Sequence, residues 1–87
     1  MDTKQKYVRL GEYDQIIIFP TIIEHSDFKS MKPISAGFCY VHSDKVVCFC
    51  NSISLGLKSM DDDTLMATKQ IYGWEGIESL NRDKATT

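Results

Sequence analysis

"ISAGFCYVHSDKVVCFCNSISL", residues 34–55, decides how this chain folds, because it reads as two β-forming runs around a polar turn. Turning through Ser43 and Asp44 sets His42 against Lys45, Val41 against Val46 and Cys39 directly across from Cys48. Side chains alternate faces along a strand, so Cys39, Val41, Val46, Cys48 and Cys50 share one face, with Ser52 and Ser54 continuing it. Phe38, Tyr40, His42, Val47 and Phe49 take the other, continued by Ile53 and Leu55. A slip of one residue would separate Cys39 from Cys48.

That register also weighs against a metal site. A tetrahedral zinc needs four convergent ligands, whereas three sulfurs lie on one face here, the nearest imidazole points away, and no C-x-x-C spacing occurs. The cysteines read as small buried apolar residues and as free thiols, since three is an odd number and no secretory signal precedes them. Neither His25 nor His42 can be set beside a thiol from sequence, so a catalytic cysteine has no support.

Outward from this hairpin, "KYVRL" (Lys6 to Leu10) and "QIIIF" (Gln15 to Phe19) flank the turn "GEYD" and predict a second hairpin, which Pro20 should end. Between the hairpins "EHSDFKSMK" reads as a loop or a short helix, capped by Ser26 or Asp27. After them, Asp61 to Asp63 are placed to cap a helix start and Gly73 to end it, with Leu65, Met66, Ala67, Ile71 and Tyr72 as its apolar stripe. The fold class is α+β: a four-stranded antiparallel sheet from two β-hairpins with one C-terminal α-helix. Residues 1–80 form a single small domain, and residues 81–87 a flexible polar tail.

Both sheet faces read as partly apolar, and one short helix covers only one of them. A homo-oligomer is the simplest cover for the other; the competing cover is the His25 segment together with the chain from Trp74. The 87 residues bury only a little over ~60% of the surface of the unfolded chain, which also invites a partner. A net charge of −2, from 12 acidic and 10 basic side chains, supplies no broad positive field for general nucleic-acid binding. No apolar run approaches the roughly 18 residues of a membrane span, so the expectation is a cytoplasmic protein with no membrane contact.

The polar stretches give the candidate site. "EHSDF" holds His, Ser and Asp side by side, but sequence neighbours point apart and do not align as a triad. "NSISLGLKS" (Asn51 to Ser59) offers hydroxyls, Gly56 and Lys58, a set that can hold a phosphate or carboxylate but lacks the spacing of a P-loop; it serves equally as a strand end with an exposed lysine. "MDDDT" lacks the alternating acids of a calcium loop. Trp74 is open to three roles: core plug, stacking ring or interface anchor.

The combination of "IIIFP", "EHSDF", "ISAGF" and "SISLGLKS" with a helix containing "LMATKQI" resembles a group of small phage and prophage proteins of unassigned function, over Ile16 to Ile71. The resemblance implies an accessory protein made in an infected bacterial cell, where such proteins often block host defence. It brings no catalytic residues and no cofactor. The favoured reading is a non-enzymatic counter-defence oligomer sequestering a small anionic, nucleotide-like signalling ligand. Arg9, Lys58, Ser52 and Ser54 would meet its phosphates, and Tyr40 or Trp74 would stack on its base. The alternatives are an anti-CRISPR-like protein inhibitor of a host defence enzyme, a structural or regulatory phage dimer, and an enzyme using a cysteine or His25.

Overall fold

The β-rich runs fold as two hairpins joined edge to edge. In the computed structural model, which describes residues 3–85, β1 (Lys4–Leu10) and β2 (Gln15–Phe19) form the first. The second is β3 (Pro33–Val41) with β4 (Val46–Phe49). The sheet order is β2-β1-β3-β4, antiparallel throughout, with Tyr7 opposite Gly37 and Arg9 opposite Ser35 at the central pairing. The second hairpin has the register read from sequence: Cys39 faces Cys48, Val41 faces Val46, and His42 N donates to Lys45 O at 2.9 Å. β1 begins two residues earlier than the sequence suggested, because Lys4 pairs with Tyr40.

The fourth strand is shorter than expected. Cys50 adopts φ 69°, which breaks the pleat and turns the chain out of the sheet. Asn51–Ser52 (β5) and Leu57–Lys58 (β6) form a separate ribbon, closed by Gly56 N donating to Ile53 O with Gly56 at φ 67°. Cys50 therefore leaves the face of the other thiols and is exposed, and Ile53 stands 91% exposed at the ribbon tip rather than on the sheet.

The segment between the hairpins is a 3₁₀ helix, His25–Met31. Neither Ser26 nor Asp27 caps it, since both lie within it and Glu24 holds the capping position without a side-chain bond. Its anchor is His25, a buried ring whose Nε2 lies 2.7 Å from Gly37 O and which packs edge-on against Phe19 and Phe38. With Phe28 and Ile23, and with Leu55 and Leu57 from the ribbon, this helix covers Val8, Leu10, Phe19 and Ala36 on the second sheet face. The chain thus supplies much of that cover itself, whereas Trp74 supplies none, being 73% exposed.

The first face packs under α1 (Asp63–Ala85), with Tyr7, Ile16, Cys39, Val46 and Ala67 as the buried cluster. Gly73 has φ 65° and ψ −146°, so the helix breaks there without ending. The second half folds back along the first: Gly76 sits against Thr68, and Leu80 and Asn81 share a groove with Asp61 and Thr64. Straight continuation would separate residues 64 and 80 by about 24 Å. Helix therefore extends through residues 81–85, the start of the segment read as a polar tail; residues 86 and 87 lie outside the described residues.

The backbone at Gly73 is one that glycine alone adopts without strain. Gly73→Ala is expected to lose about 1–3 kcal/mol in a urea titration followed by far-UV circular dichroism, although no neighbour would touch the added methyl. A loss within error would show that the break tolerates a side chain.

The first half of α1 also bonds to both edges of the sheet. Thr68 Oγ1 accepts from Val46 N at 2.9 Å and donates to Val46 O at 3.0 Å; Thr64 Oγ1 bonds Cys48 N and O at 2.9 and 3.5 Å. On the opposite edge the Gln70 amide bonds Ile16 N and O at 2.9 and 2.7 Å. Open strand edges invite pairing with other chains, and here helix side chains occupy Val46 and Cys48 on β4 and Ile16 on β2. Among the described residues no helix is long and apolar enough to cross a membrane.

Candidate functional site

Where β1 meets the start of α1, a charged cluster is buried between sheet and helix. Asp63 is fully buried and accepts from the Tyr7 hydroxyl, from Arg9 Nη1 at 3.0 Å and from Met60 N at 2.9 Å. Tyr7 also reaches Ser59 Oγ at 2.7 Å. Arg9 Nη1 donates to Asp62 at 2.7 Å, and Nη2 lies 3.6 Å from Asp14. Burial and the bond to Asp63 push the Tyr7 phenol well above its ordinary value. The hydrogen bond to Asp62 raises the Arg9 guanidinium, and the same bond holds the Asp62 carboxyl below the usual carboxylate range. Among the described residues, Arg9 Nε and Ser35 Oγ are buried without a partner, on residues paired across β1 and β3.

Two grooves border this cluster along α1. The larger, about 480 Å³, is lined by Asp14, Asp62, Leu65, Met66, Lys69 and Gln70. The smaller, about 330 Å³, runs between the two halves of the helix along Asp61, Thr64, Leu65 and Leu80. Leu65 borders both and is 48% exposed. Trp74 stands at the helix break with Lys69 Nζ 5.5 Å from its ring centroid.

The residues expected to form a ligand site are not gathered into one. Ser52, Ser54 and Lys58 share the small ribbon, where the Ser52 hydroxyl lies 3.3 Å from Ser54 Oγ and accepts from Leu55 N, so it serves the turn. Arg9 lies on the helix-covered face with its guanidinium among carboxylates, whereas Tyr40 lies on the opposite face, stacked on Phe49 at 5.2 Å. Trp74 lies at the break in α1.

Of the five residues assigned to the inward stripe, Ala67 is in the core with Met66 and Tyr72 packed against it, whereas Leu65 and Ile71 are exposed; Asp63 and Thr68 are buried beside Ala67 in the first half of the helix. The helix meets the sheet through Met66, Ala67 and Tyr72 and also through polar side chains bonded to strand edges, so its apolar pattern reports the inward side only in part. The residues lining the larger groove, apart from Asp62 at the helix start, carried no ligand-type pattern that sequence reasoning could detect; the imperfect apolar stripe was the one usable signal. No family model, no characterised protein and no solved structure matches the chain.

Proposed function

We propose that this chain is a non-enzymatic phage accessory protein that acts by binding a host protein in the infected bacterial cell, through the grooves over α1. The observation that carries this reading is an exposed leucine ridge, Leu65, between two grooves bordered by Asp14, Asp61 and Asp62, with one lysine, Lys69, against them. Such a surface suits a partner that offers an apolar anchor within a basic rim. The resemblance to phage proteins supports the setting, and a host defence enzyme is the partner class it suggests.

Sequestration of a nucleotide-like ligand is the second reading, favoured by Ser52, Ser54 and Lys58 lying together on one ribbon. It loses Arg9, because a phosphate arriving there would meet three carboxylates already engaged with the guanidinium. The internal cover of the second sheet face also weakens the case for self-association.

Affinity capture from the bacterial host tests the docking surface. Leu65→Asp is expected to reduce retention of the partner at least about tenfold while leaving far-UV circular dichroism unchanged, as for a central interface residue. Ile53→Asp, on the remote ribbon, is expected to leave retention intact. Loss with Ile53→Asp and none with Leu65→Asp would move the contact to the ribbon and overturn the assignment.

A further inference from the structure

Cys39 and Cys48 meet in a geometry that permits a covalent bond. The N–H and C=O groups of Val46 and Cys48 all engage threonine hydroxyls of α1, so they point away from β3. On an antiparallel pair this alternation makes Cys39 and Cys48 a pair without hydrogen bonds between them, the type whose Cα atoms approach to about 4.5 Å. Disulfides span Cα separations of about 4.4–6.8 Å. Both side chains lie on the same sheet face, against α1.

We infer that Cys39 and Cys48 are a dithiol that closes to a reversible cross-strand disulfide when a disulfide oxidant, such as oxidised glutathione, reaches it. Cys48 is half-buried and Cys39 fully buried, so Cys48 is the entry sulfur. Its thiolate attacks one sulfur of the oxidant, breaking that disulfide and releasing one glutathione thiolate. The Cys39 thiolate then attacks the Cys48 sulfur of the mixed disulfide and expels the second. Two protein thiols are oxidised, two glutathione thiols are formed, and the two protons pass from the protein thiols through solvent to the glutathione thiolates.

Burial pushes the Cys39 thiol up to about 11, and burial together with the nearby Cys39 and Asp63 raises Cys48 as well. The titratable groups facing the pair are Tyr7 of β1 and Asp63 of α1. Thiolate is scarce at neutral pH, so closure is slow and quickens as pH rises. Cys50, exposed and outside the pleat, takes no part in the bond.

The test uses the full chain with Cys50→Ser, shown to be folded by circular dichroism, incubated with oxidised glutathione, alkylated and digested with trypsin without reduction. Cleavage after Lys45 parts the two cysteines, so a disulfide is the one link that holds their peptides together. The expected product is a Cys39–Cys48 linked pair, lighter by two hydrogens, opened by dithiothreitol and absent from a Cys39→Ala companion. Alkylation of both cysteines after oxidation, glutathione left on Cys48, or a link that forms in urea alone would each overturn the inference.

Discussion

Asp63→Ala is expected to remove about 3–5 kcal/mol of stability, the usual consequence of taking one partner from a buried ion pair. Domains of this size often hold little more than that, so the variant should be largely unfolded without denaturant. The effect is large because one carboxylate serves three donors: the Tyr7 hydroxyl, the Arg9 guanidinium and the Met60 amide. Removing it leaves a buried cation and a buried phenol facing a cavity. Tyr7→Phe is the milder companion, expected to lose about 1–3 kcal/mol, since it deletes a donor and leaves the ion pair. Urea titration followed by far-UV circular dichroism measures both; fluorescence of the exposed Trp74 would report the fold poorly. A loss below 1 kcal/mol for Asp63→Ala would show that the cluster contributes little (~1 kcal/mol being an ordinary single-residue effect).

The same cluster sets an acid limit. Asp62 is held below the usual carboxylate range by its hydrogen bond to Arg9. The unfolded chain therefore takes up this proton at higher pH than the folded one does. The contribution is fully present above the ordinary carboxylate value and is lost as pH falls through the lowered one. Asp62 is more than half exposed, so this contribution is screened.

Gly37→Ala is expected to destabilise by about 2–4 kcal/mol, from overpacking together with a lost hydrogen bond. An added Cβ would lie 2.5 Å from Phe49 O and 2.6 Å from Ser59 Oγ. The first contact is with backbone, which cannot swing aside. The second would push Ser59 from the Tyr7 hydroxyl, and the Gly37 carbonyl also holds His25. Gly11→Ala is the control: its added Cβ would meet the Ile34 side chain at 2.8 Å, and Ile34 is exposed and free to rotate. A loss within about 1 kcal/mol is expected there. Equal losses at the two glycines would show that the crossing at Gly37 is no tighter than a surface contact.

The sheet was legible because alternation and a polar turn fix the register of a hairpin, and the opposition of Cys39 to Cys48 follows from them. The end of β4 was not, because "CFCNSIS" continues the same alternation while Cys50 takes a left-handed conformation that no pattern announces. Gly73 was read as a helix terminus, and its positive φ is that of one; the helix that resumes and folds back depends on tertiary contacts of Gly76, Ile77 and Ser79. Met66, Ala67 and Tyr72 were placed on the inward face of α1 correctly, but its polar part escaped detection for a related reason. Thr64, Thr68 and Gln70 are polar, yet they face the sheet because they complete its edges. Arg9 was read as a phosphate-binding residue, because the carboxylates that accept its hydrogen bonds, Asp62 and Asp63, lie more than fifty positions away in sequence.

The measurement that tests the docking account most directly is native mass spectrometry of the untagged protein, taken gently from a bacterial expression host. The account predicts one copy of the chain in complex with a second, different protein, a complex that Leu65→Asp dissolves. A symmetric oligomer of this chain retaining a small anionic molecule, unchanged by Leu65→Asp and stripped by Lys58→Ala, would contradict it and establish the ribbon as the working site.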